Sequence, residues 1–327
     1  MKIIAYAVRP DELKAFETVS KAVDLEVQMA QESLSLNKVE KTKGYEAVAF
    51  LGNCDLSAPV VKKLAENGVK YLASRSAGFN NVDMIAVKEQ GLKFSNATYS
   101  PHCVADFAVM LILMSIRNMK MISRKTNVHD YSLRGIQGKE MHNLTFGVIG
   151  TGRIGQVTAR NLSGFGGKIL GYDLYESDDI KDVLTYVDLD TLLKESDVIT
   201  LHAPLFDSTH HIINKENLAK TKEGVVIVNC ARGELVDTKA LIEGLESGHI
   251  GAAGLDVLEG ELGIFHTDNS LNRLSNHDLA ILESFNNVTV TPHAAFYTDQ
   301  AVFDMVEVGL KSLVSFMKED ESPWEIK

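Results

Sequence analysis

The sequence predicts an α/β protein made of two doubly wound parallel-sheet domains. Three observations lead there. Short apolar runs alternate with helix-like segments from end to end, which is the βαβ pattern of a parallel sheet covered by helices. The alternation starts afresh near residue 144, after one long apolar helix. The length of 327 residues suits about two domains.

The first series reads as strands at KIIAYAV (2–8), LEVQMA (25–30), YEAVAFLG (45–52), VKYLASRS (69–76) and LKFSNAT (92–98). A helix over 58–67 lies between two of them, with Gly68 placed to stop it. Ser100-Pro101 then opens the long helix, serine as the N-cap and proline at the first helical position. Val104, Phe107, Leu111 and Ile112 are among the residues that make it apolar nearly all round, so it belongs in a core or partly under a second subunit. The second series has strands at 144–150, 168–173, 198–204, 224–231, 251–257 and 287–292. A last helix over 301–317 follows the end of that series and is expected to return to the first domain. The expected domains are therefore 1–99 with 298–327, and an inserted 100–297.

Composition narrows the function. Apolar content of 45% and charged content of 24% are ordinary for a globular protein. A net charge of −11 argues against nucleic acid or an anionic membrane as partner, though not against a small anionic substrate. Three cysteines without CxxC spacing point to a reducing compartment and offer no zinc framework. The N-terminal stretch lacks the apolar run of a signal peptide, and the most apolar segment, 103–116, falls short of a membrane span. The expectation is a cytoplasmic protein with no metal site.

GVIGTGRIGQ carries Gly150, Gly152 and Gly155 in GxGxxG spacing, directly after an apolar strand and before a helical pattern. That context makes it a Rossmann dinucleotide fingerprint: the glycines allow a tight turn, close approach of a pyrophosphate and helix–strand packing. The next strand ends at Asp173, about 20 residues on, where a carboxylate accepts from both ribose hydroxyls and repels a 2′-phosphate. NAD is the cofactor expected.

NCARGELVD (229–237), GLDVLEGE (254–261) and TPHAAFY (291–297) also close strands of the second series. Ligands in open α/β sheets bind outside those ends. Arg232 is suited to grip a carboxylate with two parallel hydrogen bonds. Glu261, if it touches His293, orients the ring and favours the imidazolium, which makes His293 an acid/base. Each of the three alone also reads as a surface ion pair, a solvated acid or an ordinary histidine. Together with NAD they suit interconversion of a 2-hydroxy acid and a 2-oxo acid.

These motifs, in this order, resemble the D-isomer-specific 2-hydroxyacid dehydrogenases. RSAGFNNVD (75–83) and NATYSPHCVADF (96–107) match the family's first half, and the likeness spans nearly the whole chain. LEGELGIF and the FYT ending resemble its D-lactate dehydrogenase branch, the vancomycin-resistance type in particular. The resemblance implies a Rossmann NAD domain inserted into a flavodoxin-like substrate domain, with the active site in the cleft between them and a homodimer through the helix from Ser100. It implies that Arg232 binds the substrate carboxylate and that Glu261 pairs with His293, the proton carrier. Backbone N–H groups around Ser76, Ala77 and Gly78 would complete the carboxylate clamp. Asp256 would support the cofactor side. Arg153, Ile154, Asp173 and His202 fall at NAD-contact positions, as do Ala203, Pro204, Thr209, Cys230, Ala231 and Arg232 itself.

Leu51 falls where pyruvate enzymes of the family often carry tyrosine, and a smaller residue leaves room for a larger side chain. Tyr99, Phe296 and Tyr297 are further candidates for the substrate pocket. The expected reaction is reduction of pyruvate to D-lactate by NADH. The alternative is the same chemistry on 2-oxoisocaproate or phenylpyruvate. A more distant one is an NAD-sensing corepressor, which expects protein-binding tails this sequence does not show.

Overall fold

The computed structural model describes residues 1–326 and divides into two compact units, Met1–Ser100 with Tyr297–Lys327, and Pro101–Phe296. The first unit has strands β1 (Lys2–Ala5), β2 (Glu26–Met29), β3 (Ala47–Phe50), β4 (Tyr71–Ser74) and β5 (Lys93–Ser95). They form one parallel sheet in the order β2-β1-β3-β4-β5. β3 and β4 are buried at every residue, as central strands covered on both faces must be, while the edge strand β2 is largely exposed. One face packs Val60, Val61 and Leu64 of the helix Ala58–Glu66 against Val48 and Leu72. The other packs Phe16 and Val19 with Val306, Leu310, Leu313 and Phe316, so the last helix, Asp299–Glu319, completes this core. Thr298 caps that helix by accepting the Ala301 N–H at 3.2 Å.

The second unit has β6 (Thr145–Ile149), β7 (Lys168–Tyr172), β8 (Thr185–Tyr186), β9 (Val198–Leu201), β10 (Val225–Asn229), β11 (Ile250–Leu255) and β12 (Val288–Val290). Its parallel sheet runs β12-β11-β10-β9-β6-β7-β8, so the order reverses between β6 and β9. Such a switch point is where a doubly wound sheet opens a crevice for ligand. β8 has only two residues and gave no strand signal in the sequence. The long helix spans His102–Ile116, with Pro101 in the cap position, one residue later than the sequence suggested. Ser100 lies outside it, its backbone N–H donating to Asp304 Oδ2 at 2.9 Å.

Leu111 and Ile112 of this helix are fully buried, and a Cβ at Gly254 of β11 would come within 3.0 Å of the Leu111 Cβ. Its apolar surface is only partly covered: Met110 is 38% exposed. Among the described residues no single helix is long and apolar enough to cross a membrane. The bent pair His102–Ile116 and Met119–Asn127 passes by length and composition together, but its first helix is core.

Candidate active site

The glycine loop leaves β6 at the switch point and enters the helix Arg153–Ser163. Gly150 has φ +89°, and a Cβ there would strike the backbone of His202 and Ala203 at the end of β9. A Cβ at Gly155 would land on the Gly150 carbonyl oxygen, so helix and loop close on each other only without one. Gly152 differs: a Cβ would meet nothing within 4 Å. It is the N-cap of a helix with no side-chain cap bond, and the space beside it is open, as the approach of a pyrophosphate to a helix N-terminus requires. Arg153 and Ile154 are the first two residues of that helix.

Asp173 follows β7. Its Oδ2 accepts the Thr151 N–H at 2.6 Å and its Oδ1 the Tyr175 N–H at 3.0 Å. The carboxylate is thus fixed beside the glycine loop, with lone pairs left for ribose hydroxyls. Tyr186, on the strand the sequence did not reveal, braces the same loop: its hydroxyl lies 2.8 Å from Thr151 Oγ1. This donor and acceptor set fits a dinucleotide with a free 2′-hydroxyl.

The loop after β9 lies against Gly150. His202 Nε2 is 3.0 Å from Thr200 Oγ1, while Nδ1 is buried with no partner among the described residues. Burial pushes this imidazole down to about 4, so it stays neutral near pH 7. Ala203 is buried, Pro204 exposed, and the Thr209 hydroxyl closes the loop by donating to the Pro204 carbonyl at 2.7 Å and accepting the Phe206 N–H at 2.8 Å. After β10, Asn229 Oδ1 accepts the Ala231 N–H and Asn229 Nδ2 donates to the Arg232 carbonyl, which sets the turn carrying Arg232. Burial, and then the Asp256 charge, hold the Cys230 thiol well above its usual range, so it is no thiolate.

β10, β11 and β12 are neighbours, and their C-terminal ends carry Arg232, Asp256 and Glu261, and His293. His293 Nδ1 donates to Glu261 Oε1 at 2.5 Å, and Glu261 Oε2 accepts the Leu258 N–H at 2.8 Å. The contact on which the acid/base reading depended is therefore present. His293 has φ +53°, a left-handed backbone unusual for a side chain of this size.

Asp256 enforces that turn. It is fully buried, its Oδ1 accepts from the Thr291 hydroxyl and the Ala294 N–H, and its Oδ2 accepts the Ala295 N–H at 2.8 Å. Its backbone carbonyl takes the His293 N–H at 2.8 Å. The carboxylate thus faces the histidine turn. His266 was not singled out in the sequence. Its Nε2 is 3.0 Å from the His293 carbonyl, and its ring, that of His293 and that of Phe296 are mutually 6.0–6.4 Å apart.

In the first unit, Leu51 follows β3 and is 6% exposed within the cluster of Phe50, Cys54 and Phe94. Ser76, Ala77 and Gly78 form the turn after β4. Ser76 Oγ lies 2.7 Å from Ser74 Oγ and donates to the Gly78 carbonyl at 3.0 Å, while the Ala77 and Gly78 N–H groups have no acceptor among the described residues. Tyr99 is half-buried beyond β5, and Tyr297 is 53% exposed with the Arg9 guanidinium 5.4 Å over its ring.

Fold and site together define an NAD-binding oxidoreductase of the doubly wound class. Residues 109–295 match the family described as D-isomer specific 2-hydroxyacid dehydrogenase, NAD binding domain. An aromatic 2-oxoacid reductase of Clostridium sporogenes is 45% identical over 319 residues, covering 97% of this chain and 96% of that protein. A D-lactate dehydrogenase of Lactiplantibacillus plantarum is 39% identical over 332 residues, covering 100% and 99%. A solved D-2-hydroxyisocaproate dehydrogenase superposes with a TM-score of 0.90 at 36% identity, covering 100% and 99% of the two chains. The chain belongs to the D-isomer-specific 2-hydroxyacid dehydrogenases, and it is an NAD-dependent enzyme of D-2-hydroxy acids.

Proposed function

We propose that the enzyme reduces a 2-oxo acid, pyruvate to D-lactate in the first reading, with His293 as proton carrier, Glu261 as its partner and Arg232 as carboxylate anchor. The 2.5 Å bond from His293 Nδ1 to Glu261 carries the assignment. It commits one ring nitrogen, so Nε2 is the one that exchanges a proton with the substrate oxygen. Glu261, bonded to Nδ1, also holds the ring in place as that proton leaves in the reductive direction. Bound NADH supplies the hydride to the carbonyl carbon. Arg232 would hold the substrate carboxylate in two hydrogen bonds and orient the carbonyl. In the first unit, the Ala77 and Gly78 N–H groups, without an acceptor among the described residues, are donors suited to a carboxylate.

A second reading, reduction of a branched or aromatic 2-oxo acid, is favoured by Leu51 and by the 45% identity to a protein named as an aromatic 2-oxoacid reductase. One apolar pocket residue shifts such preferences by only about 1–3 kcal/mol. Steady-state comparison of pyruvate, 2-oxoisocaproate and phenylpyruvate separates the two. A tenfold higher kcat/KM for either larger acid, about 1.4 kcal/mol of transition-state binding, removes lactate as the product. The part-exposed Met110 and Met119, beside Leu113 and Met114, support a homodimer through the helix from Ser100. The three free cysteines support a reducing, cytoplasmic setting.

A further inference from the structure

Outside the residues already discussed, one cluster of metal-ligating side chains stands out. His210 and His211 follow Thr209 in the loop after β9, and Glu259 lies in the loop after β11, two residues before Glu261. His211 has φ +50°, and its ring centroid lies 3.9 Å from that of His210, the two planes tilted by 31°. His211 Nε2 is 2.6 Å from Glu259 Oε1, and one donor atom from each of the three residues lies within 4.8 Å of the other two.

A structural His–Glu pair accounts for His211 and Glu259. It does not account for His210, which is exposed but whose ring centroid lies 3.9 Å from that of His211. We propose that His210, His211 and Glu259 form a binding site for a borderline divalent cation of the zinc class, and that its occupation inhibits the enzyme.

Two imidazoles and one carboxylate are the donors such ions prefer over calcium or magnesium, and three protein ligands leave a fourth position for water. Ligand bonds of roughly 2.0–2.2 Å in tetrahedral geometry ask the His211–Glu259 contact to open by some tenths of an ångström. They also ask the exposed His210 ring to swing inward. The carboxylate is prepared for this role. Its Oε2 accepts the Thr238 N–H at 2.9 Å, fixing the group from behind. Burial raises its pKa, but the bonds from Thr238 and His211 outweigh that and hold it below the usual range.

The site lies in a rigid setting. His211 donates its N–H to the Glu234 carbonyl at 2.8 Å, Asn276 Nδ2 donates to the Glu259 carbonyl at 3.1 Å, and a Cβ at Gly233 would strike the Leu258–Glu259 backbone. Arg232 is the neighbour of Gly233, and Glu261 is bonded through the Leu258 N–H. An ion that draws Glu259 toward His210 therefore moves the segment that orients His293. This consequence rests on the proposed role of Glu261 and His293, whereas the metal site itself does not.

The test is calorimetric titration of Zn2+ into the chelator-treated full chain, with Mg2+ as comparison, for wild type and His210→Ala. His210 is exposed and has no part in the proposed chemistry, so His210→Ala is expected to fold normally and keep its metal-free kcat and KM. The expected result is one saturable Zn2+ site in wild type, weakened by at least about tenfold in His210→Ala, the loss typical even of an outer partner of a metal site. Equal Zn2+ affinity in the two proteins, or Zn2+ binding no stronger than Mg2+, overturns the site. Zn2+ at saturation is expected to lower kcat in wild type and to spare His210→Ala. Binding that depends on His210 but leaves kcat unchanged overturns the inhibition and supports the site. A protein without dehydrogenase activity would overturn the function proposed above while leaving the binding result readable.

Discussion

At the level of single residues, two carboxylates hold His293 in different ways. Glu261 holds the ring and Asp256 holds the turn beneath it. Their substitutions should separate. His293→Asn keeps a residue type that tolerates the left-handed backbone and removes the imidazole. It should lower kcat by about 10²–10⁴ while leaving NADH binding and unfolding free energy close to wild type. Asp256→Asn places an amide donor against either the Ala294 N–H or the Ala295 N–H, which Asp256 now accepts with one oxygen each. It should reduce unfolding free energy by on the order of 2 kcal/mol or more, and lower kcat as well. Denaturant titration and steady-state kinetics read both, and wild-type stability in Asp256→Asn would remove its role in the turn. The His–Glu partnership was legible in the sequence only through motif and family likeness, because the two residues meet across strand ends and not along one helix face. Asp256 was less legible still. A lone aspartate after an apolar strand does not announce complete burial or three donors around it.

At the level of elements, eleven of the strands were readable, most of them because buried parallel strands leave continuous apolar runs and the exposed edge strand β2 by its alternation. The twelfth, β8, has two residues and leaves none, so the bracing of Thr151 by Tyr186 could not be foreseen. The long helix begins at His102, one position beyond expectation, since Ser-Pro marks a helix start without saying which residue is the cap. The glycine loop yields a sharper test. Gly152→Ala adds a methyl into open space at an ordinary φ of −69°, so stability should hold while the NADH Kd rises by about tenfold or more, roughly 1.4 kcal/mol. Gly155→Ala pushes a methyl into the Gly150 carbonyl and should cost about 1–3 kcal/mol of stability through overpacking. Thermal unfolding and fluorescence titration with NADH distinguish the pair; unchanged NADH affinity in Gly152→Ala would move the pyrophosphate elsewhere.

At the level of the whole molecule, His202 links folding to pH. Its folded pKa of about 4 lies below the ordinary 6.5, so between those values the unfolded chain binds more protons than the folded one. Stability from this group is complete above pH 6.5 and is lost as pH falls toward 4, by at most about 3 kcal/mol. Unfolding free energies of wild type and His202→Asn, measured from pH 7 to 4, should therefore diverge, with wild type falling faster; parallel curves would contradict the buried neutral ring. The discontinuous first unit has a consequence for biosynthesis. Its core lacks Val306, Leu310, Leu313 and Phe316 until the last helix is made. At about 5–20 residues per second, the translating ribosome needs roughly 10–40 s to pass through Pro101–Phe296. Throughout that interval one face of the nascent amino-terminal sheet is covered only in part, by Phe16 and Val19. The cofactor-binding unit, though second in the sequence, is thus the first whose residues are all made, and the earlier unit completes its core only with the last helix.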